Sequence, residues 1–170
     1  MLPASRKLGI DFGGVIRRAT SDDESEETVD GWSFRKTPPV AGAFEGIRCL
    51  VQEVFGTRIW IVSRCRSDVT RWIRVWFREK GFFAFTGVPP DHFLTCRERP
   101  HKAVLCRDLG LTDFVDNRLE VLLHMAGQVP HLYLFDPDTR EMNLFSEASV
   151  SIRRIEDWRS LVGAIRASAK

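Results

Sequence analysis

LGIDFGGVI, residues 8–16, is an apolar run interrupted by one carboxylate, Asp11, and by the pair Gly13-Gly14. Its first half, LGIDF (8–12), reads as a buried β-strand. A carboxylate does not belong inside a core. It does belong just beyond the carboxyl end of a strand in an open parallel sheet, where such folds bind their ligands. The reading of the rest of the chain turns on whether other strands end in the same way.

Strand and helix periodicities alternate along the sequence. After LGIDF, the apolar positions Val40, Ala43, Phe44, Ile47, Leu50, Val51, Val54 and Phe55 recur at helical spacing, and Gly56 stops the helix. RIWIVS (58–63) is a second strand. Val69, Trp72, Ile73, Trp76 and Phe77 then form one helical stripe with Arg71, Arg74 and Arg78 opposite, closed by Gly81. A short strand at 93–96 follows Pro89-Pro90. A helix at about 101–109 then precedes the strand TDFVD (112–116), and a helix at 118–126 precedes the strand HLYLFD (131–136). DPDTR (136–140) reads as a turn. A strand near 150–155 leads to a closing helix with Trp158, Leu161, Val162 and Ile165 on one face. This alternation predicts a three-layer α/β Rossmann-like sandwich with a mainly parallel sheet. SDDESEE (21–27) reads as a loop or exposed hairpin, with Trp32 and Phe34 on the return strand.

Four polar residues occupy or adjoin the strand ends: Asp11, Ser63, Lys102 at the start of a helix, and Asp116 with Asn117 beside it. Right-handed crossovers gather them at one edge of the sheet. Two acids, a lysine and a hydroxyl there can hold Mg²⁺ together with a phosphate group, and a carboxylate in such a place can attack phosphorus. Each residue also has a plainer reading. Asp11 and Asp116 serve as helix caps, Ser63 as a strand-end hydroxyl and Lys102 as a solvated lysine. Gly13-Gly14 serves equally well as an ordinary tight turn.

Taken together, the four segments resemble the motifs of the haloacid dehalogenase-like (HAD) superfamily of phosphohydrolases. IDFGGVI is similar to its first motif and IVS, ending at Ser63, to its second. Lys102 in HKAVLCRDLGL resembles the third-motif lysine, and FVDNRLEVL the fourth motif around Asp116. The resemblance spans residues 8–123. It implies Asp11 as nucleophile and Mg²⁺ ligand, the Gly13 carbonyl and Asp116 as further ligands, and Asn117 as an amide that orients metal-bound water. Glu120 is the acid in reserve. Ser63 and Lys102 would hold the phosphoryl group, and Arg64 and Arg66 could touch the phosphates of a substrate.

The sequence departs from the family pattern at Gly13. That position is usually an aspartate acting as general acid and then base, a contribution of about 10²–10⁴ in rate. The resemblance therefore implies a Mg²⁺-dependent phosphohydrolase working through an aspartyl-phosphate. The alternative is a catalytically impaired module that binds a phosphorylated ligand or a protein partner. Neither interval in which the family inserts its caps has room for a large one. Residues 1–170 are expected to form a single HAD-like domain with a small flap or loop insertion at about 17–39. An open site of that kind suits a phosphorylated substrate as large as a macromolecule, or a homodimer that covers it.

The bulk numbers agree with a single α/β domain. With 170 residues, 44% hydrophobic and 28% charged, the chain can bury a core. A net charge of +2 neither points to nucleic acid nor excludes it. No apolar run reaches the roughly 20 residues of a membrane span, and the N-terminus has no secretory pattern, so a cytoplasmic location without membrane contact is expected. The four cysteines and four histidines fall at no metal-binding spacing; the thiols read as reduced core filler, and His101 stands out only for adjoining Lys102.

Overall fold

The computed structural model describes residues 5–20, 30–148 and 151–168; the acidic segment 21–27 lies outside the described residues. Six strands form one sheet: β1 (Leu8–Ile10), β2 (Ile59–Arg64), β3 (Phe93–Cys96), β4 (Asp113–Asp116), β5 (His131–Phe135) and β6 (Ile152–Ile155). Their order is β3-β2-β1-β4-β5-β6, and every neighbouring pair is parallel. The central strands are apolar on both faces because both are covered: Leu8, Ile10, Ile59, Ile61, Val62, Phe114 and Val115 are all fully buried.

The chain winds from β1 through β2 to the β3 edge, then returns to lay β4 on the other side of β1. The winding therefore reverses between β1 and β4, and the crevice beyond their carboxyl ends is the natural ligand site. The register Leu8↔Asp113 and Ile10↔Val115 brings the ends of these two strands level.

One face of the sheet is covered by α1 (Gly31–Lys36), α2 (Ala43–Leu50, continuing as a π-helical turn over Val51–Phe55), α3 (Ser67–Lys80), α4 (Phe82–Thr86) and α8 (Trp158–Ala167). The other face carries α5 (Arg99–Leu109), α6 (Leu119–Met125) and α7 (Thr139–Ala148). In α3 the stripe buries Ile73, Trp76 and Phe77, while Arg71, Arg74 and Arg78 stay exposed. Burying a side chain of that size is worth about 1.5–3 kcal/mol.

The structure differs from the sequence reading in two places. Trp32 and Phe34 lie on α1, not on a hairpin strand. Asp30 caps that helix by accepting from the Trp32 and Ser33 N–H groups at 3.1 and 3.2 Å. Gly31 is needed there, since a Cβ would fall 2.3 Å from the Trp72 ring. The supposed turn at 136–140 opens α7, whose first turn is capped by Asp138 accepting from the Glu141 N–H at 2.8 Å. FFAFT (82–86), to which the sequence reading assigns no element, is helical.

The excursion at 17–39 is pinned at its base. Arg17 and Pro39 form an antiparallel bridge, and the Arg18 and Val40 N–H groups donate to Pro38 and Ile16 at 3.1 and 2.8 Å. The Arg17 guanidinium stacks 3.9 Å from the Phe34 ring centre, and Trp76 Nε1 donates to the Thr37 carbonyl at 2.8 Å. Among the described residues no second domain stands over the sheet, and no helix is long and apolar enough to cross a membrane.

Candidate functional site

The site is built from strand ends. Asp11 follows β1 directly, and its N–H donates to the Val115 carbonyl at 2.9 Å, which extends the pairing with β4 by one residue. Phe12 then turns into the core, edge-on to Trp76 (ring centres 5.3 Å apart) and to Phe77 (5.1 Å). With Phe12 anchored there, its neighbours Asp11 and Gly13 line a cleft of about 840 Å³.

Beyond Gly13 the chain closes into a tight loop. The Phe12 carbonyl accepts from the Ile16 and Arg17 N–H groups at 2.9 and 3.1 Å, and Gly14 N–H donates to the Arg17 carbonyl at 2.8 Å. The left-handed residue is Gly14, at φ 78°, rather than Gly13. Gly14 is required twice over: a Cβ there would also sit 2.2 Å from the Asn117 Nδ2. From α8, Trp158 Nε1 reaches back to donate to the Val15 carbonyl at 2.8 Å, in a buried setting.

Opposite Asp11, Lys102 rises from the first turns of α5. Its Nζ donates to Asp11 Oδ1 at 2.6 Å and to Asp116 Oδ2 at 2.9 Å. The other Asp116 oxygen accepts from the Arg118 N–H at 3.0 Å, so the residue caps the turn into α6 and binds Lys102 at once. Asp116 is fully buried, Lys102 is 2% exposed and Ser63, beside them at the end of β2, is 5% exposed. Burial, and then repulsion from Asp11, pushes the Asp116 carboxyl up to about 7 against the pull of Lys102. Burial alone would lower the Lys102 pKa, but the two carboxylates outweigh it and hold the amine above its ordinary value, as an ammonium.

Asp11, Gly13, Ser63, Arg64, Lys102, Asp116 and Asn117, which the sequence picks out separately, all line this one cleft. Glu120 does not. It pairs with Arg99 at 2.8 Å, its side chain 58% exposed. His101 is equally peripheral, 4.0 Å from Glu98. Arg66 lines the cleft and is paired with Asp68 at 2.6 Å.

The sequence reading passes over Arg97 and Glu141, and takes Trp158 only as part of the apolar face of the closing helix. Arg97 is the first residue after β3 and lines the cleft; the strand-end rule that found Asp11 would have found it too. Glu141 is 6% exposed and holds the start of α6 by accepting from the Leu119 N–H at 2.8 Å. The turn read at DPDTR ends at Arg140, and the sequence reading assigns no element to the residues beyond it, where Glu141 and the rest of α7 lie. Cys65, Cys96 and Cys106 adjoin the site as free thiols, and burial raises the pKa of all three, which keeps them protonated and unreactive.

The donor set fits a hard divalent cation. Among the described residues no three His, Cys, Asp or Glu side chains converge, so a closed all-protein cage is absent. Two buried carboxylates with a carbonyl and an amide beside them suit Mg²⁺, which commonly takes one or two carboxylates and keeps its remaining positions for water and phosphate. With both carboxyls ionised the Asp11–Lys102–Asp116 group carries one net negative charge, a further reason for a cation to enter.

No family model and no curated protein matches this sequence. Solved structures do match the fold. The D,D-heptose 1,7-bisphosphate phosphatase from B. bronchiseptica, complexed with magnesium and phosphate, has a TM-score of 0.71 at 15% identity, over 96% of this chain and 99% of that one. The D,D-heptose 1,7-bisphosphate phosphatase from Burkholderia thailandensis scores 0.66 at 13% identity, over 95% and 99%. The HAD domain of the effector protein Lem4 from Legionella pneumophila scores 0.53 at 10% identity, over 98% and 96%. At these identities the likeness is one of fold, and the fold is HAD-like.

Proposed function

We propose that this HAD-fold chain is a Mg²⁺-dependent phosphohydrolase that works through an aspartyl-phosphate on Asp11. One observation carries the reading: a buried lysine ammonium bonded to two carboxylates at 2.6 and 2.9 Å, at the reversal point of a parallel sheet. A structural ion pair has little reason to lie at the floor of an open cleft. The likeness of fold to phosphatases, one of them complexed with magnesium and phosphate, supports the same reading.

In this reading Ser63 Oγ and the Lys102 ammonium bind the non-bridging oxygens of a phosphate monoester. An Asp11 carboxylate oxygen attacks phosphorus as the ester P–O bond breaks, and the leaving oxygen takes its proton from water because residue 13 has no side chain to give one. Water then attacks the phosphorus of the acyl phosphate, releasing inorganic phosphate and restoring the Asp11 carboxylate. Mg²⁺, held by Asp11, the Gly13 carbonyl and Asp116, with Asn117 beside it, would neutralise phosphoryl charge.

Turnover of p-nitrophenyl phosphate with Mg²⁺ tests the proposal. The wild type should turn over, and Asp11→Asn should abolish turnover while the fold survives. A folded wild type inert towards all esters would favour the alternative, a module that binds a phosphorylated ligand or partner without hydrolysing it.

A further inference from the structure

Five arginines stand around the cleft mouth, and three of them have carboxylate partners. Arg66 pairs with Asp68 at 2.6 Å, Arg99 with Glu120 at 2.8 Å and Arg118 with Glu141 at 3.4 Å. Arg64 and Arg97 have no carboxylate within ion-pair range among the described residues, and both are exposed. The sheet makes them neighbours. Arg64 is the last residue of β2 and pairs in register with Cys96, the residue before Arg97. The Cys65 N–H donates to the Cys96 carbonyl at 2.9 Å, which fixes the two strand ends side by side.

Both guanidinium groups thus flank the cleft whose floor holds Asp11, Ser63 and Lys102. The floor accommodates one phosphoryl group, whereas a cleft of about 840 Å³ has space for a larger molecule beyond it. Unneutralised guanidinium groups at the mouth of a cleft raise the local concentration of anions and bind phosphate oxygens through paired N–H donors.

We propose, resting on the phosphohydrolase reading, that Arg64 and Arg97 form a second phosphate subsite. The substrate class is then a phosphate monoester that carries a further phosphate group on the β2–β3 side. That second group comes either from a small bisphosphate or from the adjoining phosphodiester of a 5′-phosphorylated oligonucleotide. The same guanidinium pair reads both.

Two matched probe pairs test this: glucose 1,6-bisphosphate against glucose 6-phosphate, and 5′-phosphorylated oligothymidylate against thymidine 5′-phosphate. Affinities are measured by calorimetry in Asp11→Asn, which prevents turnover, and kcat/KM in the otherwise unaltered protein. The expected result is a preference of about tenfold for the doubly phosphorylated member of at least one pair, weakening with added salt. Arg64→Gln with Arg97→Gln should reduce that preference to within about twofold. The pair that shows the preference identifies the source of the second phosphate. No preference in either pair, or a preference that survives both substitutions in a protein of unchanged melting temperature, overturns the subsite. If no ester turns over and the calorimetric preference is nevertheless present and arginine-dependent, the hydrolase reading fails and the subsite stands.

Discussion

Lys102→Met is the most informative single substitution. It keeps the length and apolar stem of the side chain and removes only the ammonium, so Asp11 and Asp116 are left facing one another with side chains 10% and 1% exposed. Removing one partner of a buried ion pair costs about 3–5 kcal/mol, because the uncompensated charge stays in a poorly solvated place. For a domain of this size each kcal/mol moves the melting temperature by about 2–4 °C. The metal-free variant should therefore melt roughly 6–20 °C below wild type at about pH 8. Lowering the pH to about 5.5 should shrink the deficit, because protonating one carboxyl relieves the repulsion. Millimolar Mg²⁺ should also shrink it, raising the variant's melting temperature more than that of the wild type, since the cation replaces the missing positive charge. Circular-dichroism melts at the two pH values, with and without Mg²⁺, check all three effects. A variant melting within about 2 °C of wild type at pH 8 would refute the claim that Lys102 is the counter-charge of this site.

Asp116 should give the metal-free wild type its own pH dependence. Its folded pKa is raised, so the folded state holds the proton more tightly than the unfolded chain does. The resulting stabilisation is complete below the ordinary carboxylate value and is lost as pH rises through about 7. Mg²⁺ should then raise the melting temperature more at about pH 8 than at about pH 6, and much less in Asp116→Ala; equal shifts in both proteins would remove Asp116 from the metal site. Gly13→Asp should fold, because the left-handed backbone falls at Gly14 and not at Gly13. On alkyl phosphates the added carboxyl should increase kcat by up to about 10²–10⁴, with a smaller gain for p-nitrophenyl phosphate. A folded variant with no gain on any ester would end the missing-acid account. Trp158→Phe leaves the Val15 carbonyl without its partner and should cost about 1–3 kcal/mol. In the same variant kcat should fall more than KM rises, whereas an unchanged kcat would separate α8 from the chemistry.

Most of the fold was legible because it rests on periodicity. Strands buried on both faces, such as IWIVS, and amphipathic helices such as α3 announce themselves over many residues. What escaped was short or polar. Asp138 and Glu141 open α7 with a capping pattern that looks like a turn until the helix behind it is seen, and α1 is a single capped excursion of six residues. The site was legible through its strand ends, since parallel topology brings Asp11, Ser63 and Asp116 to one edge whatever the loops do. The proximity of Lys102 to both acids depends on how α5 sits on the sheet, which no local pattern encodes. Glu120 failed for the reverse reason: its nearness in sequence did not survive the helical rotation that turns it towards Arg99.

The hydrogen bond from Trp158 to Val15 joins residues 143 apart and holds the loop that follows Asp11. During synthesis β1 and its aspartate emerge before α8, so the support for the loop arrives only after all six strands have been made. A nascent chain that has already made most of its sheet would still present Asp11 on an unbraced loop. The nucleophile proposed at Asp11 would therefore gain its braced geometry only when α8 docks, however complete the sheet already is.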